Sequence, residues 1–74
     1  MSAKEMFEEL GYKEIKEHSS MFAIIVYSNG KDNIYFDFDK KFSKEGYGSF
    51  SFIDMELLKA INKQVEELGW LNER

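Results

Sequence analysis

The feature that most constrains the fold is an amphipathic stretch near the end of the chain, at residues 54–71. Its apolar side chains recur at spacings of three and four, which places them on one face of a helix. These side chains are Leu57, Leu58, Ile61, Val65 and Leu68. A helix of this length is marginal alone in water, so its apolar face must pack against the aromatic, strand-like middle of the chain.

Both ends of this helix carry recognisable capping residues. Asp54 can accept the free amides of the first turn, as residues at helix N-caps commonly do. Gly69 can adopt the left-handed conformation that ends a helix, which lets Trp70 fold back on Val65. The pattern therefore predicts where the helix begins and ends as well as which face it buries.

A second, shorter helix is predicted at the start of the chain. Ser2 and Glu5 have the spacing of a capping box, S-x-x-E. The apolar stripe that follows consists of Ala3, Met6, Phe7 and Leu10. Gly11 then ends the helix, and Tyr12 can pack back on Phe7.

The residues between the two helices read as an antiparallel meander. Residues 21–27 are a continuous apolar run, and residues 33–38 alternate between apolar and polar side chains. Asn29-Gly30, between these two segments, is typical of a hairpin loop. The weaker strand candidates are a charged edge strand at 12–18 before a turn at 19–20, a return strand at 41–45 and a further segment at 49–53.

The register of the central hairpin decides which side chains face the helices, because a slip of one residue reverses every side chain. We expect a loop of odd length, which assembles the larger apolar face. That face would carry Phe22, Ile24, Val26, Ile34, Phe36 and Phe38, and the opposite face would carry Met21, Ala23, Ile25, Tyr27, Tyr35 and Asp37. The alternative, a two-residue Asn-Gly loop, would instead place Ala23 and Ile25 beside Ile34 and Phe36.

These patterns predict an α+β fold in one domain over residues 1–74. The expected order is an N-terminal helix, an antiparallel β-meander of three to five strands and a C-terminal helix, with both helices on one sheet face. A core of this size is small, so we expect modest stability that dimerisation would raise.

Composition narrows the classes of function. The chain has no cysteine, no apolar run of signal-peptide or membrane-span length, a net charge of −4 and a pI near 4.9. We therefore expect a cytoplasmic protein without disulfides or thiolate metal sites, and without a membrane-spanning segment. The negative charge makes nucleic acid an unlikely partner, because phosphates would be repelled.

No motif in the chain predicts catalysis, a metal or a cofactor. The single histidine, His18, has no partner at the spacing of a metal ligand and no orienting acid. Asp32, Asp37 and Asp39 do not match a calcium loop. The glycines of Gly46-Tyr47-Gly48 lack the context of a nucleotide fingerprint. Phe50 and Phe52 fit core packing better than base stacking, since no basic residue flanks them.

The strongest functional candidate is the sheet face that the helices leave uncovered. We expect Ile25, Tyr27 and Tyr35 to form a partner-binding cluster there, with Asp37 and Asp39 beside it, because tyrosine is enriched at protein interfaces. The alternative is that the protein's own termini or a homodimer mate cover this face.

Three stretches together resemble a group of small proteins carried by phages and prophages of low-GC Gram-positive bacteria, which has no assigned activity. They are the opening AKEMFEELGY, the aromatic hairpin and the ending MELLKAINKQVEELGWL. The strongest part is residues 55–70, where the group reads A-I-N-K-Q and then E-E-L-G-W. The chain departs from the group at Leu58 and at residues 46–52.

The resemblance implies a biological context and no catalytic residue. It implies an acidic phage accessory protein inside an infected cell that binds and modulates a host or phage protein, as an inhibitor such as an anti-CRISPR protein does. The alternative that the residues leave open is a structural homodimeric domain with no catalytic role.

Overall fold

The computed structural model of the chain describes residues 1–18, 21–46 and 52–71. Its elements, in chain order, are α1 (Ala3–Glu9), β1 (Lys13–Glu14), β2 (Ala23–Ser28), β3 (Asn33–Asp37), β4 (Phe42–Glu45) and α2 (Met55–Glu67). The four strands form one antiparallel sheet in the order β1-β2-β3-β4. The predicted α+β arrangement of helix, meander and helix is confirmed.

Helix α1 begins and ends as its sequence predicts. The Ser2 hydroxyl accepts the Glu5 N–H at 3.2 Å, and the Glu5 carboxylate accepts the Ser2 N–H at 2.8 Å, which completes the capping box. At the other end Gly11 has a φ of 91°, and the Tyr12 N–H donates to the Phe7 carbonyl at 2.9 Å. The Tyr12 ring also meets the Phe7 ring edge to face, with centroids 5.9 Å apart.

Helix α2 ends by the same backbone motif. The Asp54 carboxylate accepts the Leu57 N–H at 2.8 Å, as expected of an N-cap. Gly69 has a φ of 77°, and the Trp70 N–H donates to the Val65 carbonyl at 3.2 Å. Both predicted helix ends are therefore confirmed, because each depends on residues within one turn of the cap.

The two helices are tied to each other as well as to the sheet. The Glu67 carboxylate accepts the Ala3 N–H at 2.8 Å, so the first turn of α1 lies beside the last turn of α2. A carboxylate at that position also faces the positive end of the α1 dipole. In the described part of the chain, neither helix is long and apolar enough to cross a bilayer.

The predicted register of the β2–β3 hairpin is wrong over most of its length. The observed pairs are Ser28↔Asn33, Tyr27↔Ile34, Val26↔Tyr35 and Ile25↔Phe36, which leave an even loop at residues 29–32. The Asn29 side chain explains this loop, because its Oδ1 accepts the N–H of Lys31 at 2.9 Å and of Asp32 at 2.6 Å. Ile25 and Tyr27 of β2 consequently face the same side as Ile34 and Phe36 of β3.

A bulge restores the predicted pairing at the far end of the same hairpin. The register shifts between Ala23 and Ile25, so that Ala23 pairs with Asp37. One step further, the Phe38 N–H donates to the Phe22 carbonyl at 3.0 Å. The hairpin therefore has two registers. From Ile25 to Ser28 odd-numbered residues pair with even-numbered ones, and on the other side of Ile24 odd pairs with odd.

The core lies between the two helices and one face of the sheet, as predicted. Its buried members are Phe7, Tyr12, Tyr27, Ile34, Phe36, Leu57, Ala60 and Ile61. The expectation that Phe22, Ile24 and Phe38 join this core is wrong, because their side chains are 76%, 38% and 67% exposed. Phe22 and Phe38 lie beyond Ile25↔Phe36, the last pair of the hairpin that packs in the core.

The remaining strand predictions are met in part. Only Lys13–Glu14 of the expected edge strand at 12–18 pairs with β2, and the return strand at 41–45 is present as Phe42–Glu45. Phe52 and Ile53 are not in a strand. The turn expected at 19–20 and the first part of the segment expected at 49–53 lie outside the described residues.

Candidate protein-interaction surface

Tyr27, which we expected on the uncovered face, lies instead in the centre of the core, so that prediction is wrong. Its side chain is 2% exposed and stacks on Phe7 with ring centroids 4.0 Å apart and planes 14° from parallel. Its hydroxyl donates to Gln64 Oε1 at 2.6 Å. Burial, together with the charges of Glu14 and other carboxylates nearby, raises the pKa of Tyr27 to about 12.

Ile25 is also displaced from the predicted cluster. It pairs with Phe36 and packs, partly buried, against the same core. A residue in this position stabilises the fold and presents little surface to a partner. Because side chains two residues apart on a strand share a face, the even loop places both Ile25 and Tyr27 on the side of the core.

The sheet face opposite the helices, here called the outward face, is defined by the observed pairing. Directly paired residues of antiparallel strands share a face. By this rule the outward face carries Lys13 of β1, Ala23, Val26 and Ser28 of β2, Asn33, Tyr35 and Asp37 of β3, and Ser43 and Glu45 of β4. Of these, Ala23 and Val26 are buried. Of the predicted site residues, the structure places Tyr35 and Asp37 on this face.

Tyr35 is held in a fixed orientation on the outward face by its neighbour on β4. Its hydroxyl donates to Glu45 Oε1 at 2.8 Å, and the Asn33 side-chain amide donates to the same oxygen at 3.4 Å. The hydrogen bond to Glu45 raises the pKa of Tyr35, because removing its proton would bring two negative charges together. The result is a neutral aromatic ring coupled to a carboxylate on the surface.

The chain covers part of the outward face with the segment after β1. The Ile15 N–H donates to the Val26 carbonyl at 2.8 Å, and Val26 is only 4% exposed although it points away from the helices. A groove remains along this segment, lined by Ile15, Glu17, His18, Val26, Ser28, Asn33 and Tyr35. The segment beside Val26 is internal, so it is neither of the termini that the alternative named. Glu45 stays exposed, and Tyr35 and Asp37 stay half-exposed.

The acidic residues of the predicted site lie at the edge of the outward face. Asp37 is half-exposed, and Asp39 is exposed in the loop between β3 and β4. Asp39 Oδ2 forms an ion pair with Lys41 Nζ at 3.3 Å, with both side chains largely in water. Such a pair contributes little to stability, so both groups stay available to other charges.

The sequence prediction missed an exposed apolar pair at the far end of the hairpin. Phe22 and Phe38 line a groove together with Asp37 and Asp39. Met21, the residue before Phe22, is 85% exposed. The chain turns directly after β3, where Lys40 has a φ of 65°, so the alternation of buried and exposed side chains ends near Phe38.

No three histidine, aspartate or glutamate side chains within residues 1–18, 21–46 and 52–71 converge closely enough to hold a metal ion. His18 Nδ1 is buried and has no hydrogen-bond partner among these residues. Gly46 packs directly against the Asp32 carboxylate, which pairs with Lys44 at 3.5 Å, and this is a structural contact.

Comparisons with known proteins add no relative. No protein-family model, no curated protein and no solved structure matches the chain.

Proposed function

We propose that this chain is a protein-binding module that modulates its partner through the outward face of the sheet. The observation that carries the proposal is the Tyr35–Glu45 hydrogen bond on a face that the helices leave uncovered. It keeps an aromatic ring and a carboxylate in one arrangement before any partner arrives. Less side-chain entropy is then lost on binding, which favours affinity.

The residue types on this face suit a partner with a basic surface. Tyrosine offers a large contact area with one polar atom, and it is often among the residues that dominate binding energy. Asp37 and Glu45 share the outward face with Tyr35, Glu17 lines the adjoining groove, and Lys13 of β1 adds one positive charge to this face. Carboxylates placed in this way select partners that carry lysine or arginine and speed their association.

The net charge of −4 supports a protein partner over nucleic acid. Carboxylates on a small acidic protein can occupy a site where a basic host protein would bind phosphates. Together with the resemblance to phage accessory proteins, this gives the more specific form of the proposal: an inhibitor of a host or defence protein that acts inside the infected cell.

Affinity capture with a matched control tests the proposal. The tagged chain, its Tyr35→Ala/Glu45→Gln variant and its Met55→Ala/Glu56→Gln variant would be passed over the same bacterial lysate. The control pair removes one large exposed side chain and one exposed carboxylate from α2, far from the outward face. Circular dichroism would establish that all three are folded.

The expected result is that the chain and the α2 variant retain the same protein, and that the outward-face variant retains about tenfold less, which corresponds to about 1.4 kcal/mol. Equal retention by all three proteins would remove the outward face as the binding surface. Loss of the partner from both variants would contradict it as well, because the effect would then follow total charge.

A further inference from the structure

Two large aromatic side chains are exposed together at the end of the hairpin beyond the bulge. Phe22 and Phe38, here called the distal patch, are 76% and 67% exposed and line one groove. Phe22 and Phe38 are neighbours across the strands, since the Phe38 N–H donates to the Phe22 carbonyl at 3.0 Å. Exposed aromatic side chains grouped in this way typically mark a contact surface.

The distal patch lies beyond the part of the hairpin that packs in the core. Up to Ile25↔Phe36 the hairpin lies under the helices, and beyond that pair the register changes. Phe36 is fully buried, whereas Phe38 two residues later is mostly in water. The patch therefore continues the sheet past the helices, where another molecule can reach it.

The charges beside the distal patch are balanced. Residues 37–41 hold two aspartates, Asp37 and Asp39, and two lysines, Lys40 and Lys41, in a chain whose net charge is −4. The Asp39–Lys41 ion pair shows that the two signs lie close together. This segment therefore selects neither a strongly basic nor a strongly acidic partner, which distinguishes it from the outward face.

A segment with both signs is complementary to itself when a second copy approaches about a two-fold axis. In such an interface each residue of one copy meets a different residue of the other, so aspartates of one chain can face lysines of its partner. We infer that the distal patch is a homodimer contact, with Phe22 and Phe38 of the two copies packed across the axis. Two aromatic side chains from each copy make a small interface, so the dimer is weak and concentration-dependent.

This inference rests on other aromatic side chains than the proposed function, although Asp37 borders both surfaces. Sedimentation equilibrium tests it separately. The full chain, its Phe22→Ser/Phe38→Ser variant and its Met55→Ser variant would be measured from about 10 µM to about 1 mM, the range in which small interfaces associate. Met55 is 64% exposed at the start of α2, so its variant controls for the loss of exposed apolar surface.

We expect the full chain and the Met55→Ser variant to shift from monomer to dimer over this range, while the double variant stays monomeric. A second measurement uses ¹⁵N amide shifts of the full chain against concentration. The shifts should change at residues 21–22 and 37–41 and stay constant at Ser43 and Glu45.

A chain that is monomeric throughout would overturn the inference and assign the patch to a different partner. A dimer that survives Phe22→Ser/Phe38→Ser, or shifts confined to the outward face, would overturn it too. None of these results bears on whether the outward face captures a partner, so the two proposals fail independently.

Discussion

Tyr27 Oη donates a 2.6 Å hydrogen bond to Gln64 Oε1, which joins the centre of β2 to the buried face of α2. Gln64 is 4% exposed and Tyr27 is 2% exposed, so water cannot replace either partner. The pair helps to fix how α2 lies on the sheet. With Tyr27 buried, Tyr35 is the tyrosine of β2 and β3 that lies on the outward face.

Removing one partner of this hydrogen bond should cost more than removing both. Tyr27→Phe leaves the Gln64 carbonyl buried without a donor, and we expect it to lower the free energy of unfolding by about 1–3 kcal/mol. Gln64→Met should lower it by a similar amount, because the tyrosine hydroxyl then loses its acceptor. In the double variant both polar groups are gone, so the loss should be clearly smaller than the sum of the single losses. Urea unfolding of the four proteins measures this, and strict additivity would contradict a buried hydrogen bond.

Stability should fall in strong base because Tyr27 is buried in its neutral form. Its pKa is raised from 10.0 to about 12 in the folded chain, so the folded state holds the proton more tightly than the unfolded state does. The contribution is complete below pH 10 and is lost as pH rises from 10 to 12, at about 1.4 kcal/mol per pH unit.

Unfolding free energy measured from pH 8 to pH 12 checks this expectation. Tyr27→Phe should flatten most of the decline, and the raised pKa of Tyr12, which is also caused mainly by burial, should account for part of the remainder. A Tyr27→Phe variant that declines as steeply as the original chain would show that other groups dominate.

The glycine that ends α2 should tolerate asparagine better than alanine. Gly69 has a φ of 77°, and a Cβ at this position would meet no atom within 4 Å. The cost of Gly69→Ala is therefore conformational, about 1 kcal/mol, whereas Gly69→Asn should cost less because asparagine adopts this backbone conformation more readily. Thermal unfolding of the two variants compares them, and equal losses would argue against the left-handed cap.

Features set by neighbouring residues could be predicted from the sequence. The Ser2–Glu5 capping box and the Asp54 cap need only the residues of one helical turn, and each formed as expected. The ends of the two helices at Gly11 and Gly69 could be predicted for the same reason. The helix–meander–helix order also followed, because the amphipathic period of α2 requires an apolar sheet to pack against.

The register of the hairpin depended on details that a pattern does not contain. The Asn29 side chain closed the loop at an even length, and a bulge at Ile24 changed the pairing again within five residues. Choosing the larger apolar face assumed a single register from end to end. That assumption exchanged the positions of Tyr27 and Val26 and placed Phe22 and Phe38 in the core.

The candidate site could be predicted only in part for the same reason. Tyr35 and Asp37 lie on the face away from the helices under either register of β3 relative to β2, because their own strand alternates regularly. The positions of Ile25 and Tyr27 depended on how β2 pairs with β3, and the observed pairing places both on the side of the core. The segment at 12–18 was expected as an edge strand, and Ile15 does lie beside Val26, but its few apolar residues gave no indication that Val26 would be buried there.

The central claim, that the outward face binds a protein partner, is tested most directly by photo-cross-linking from Ser43. This residue pairs with Tyr35 on the outward face and is exposed, so a benzoylphenylalanine there leaves Tyr35 and Glu45 in place. The matched position is Asn62, which is exposed on α2. Irradiation in the bacterial cell should give one discrete protein adduct from position 43 and none from position 62. No adduct from position 43, or the same adduct from both positions, would contradict the claim.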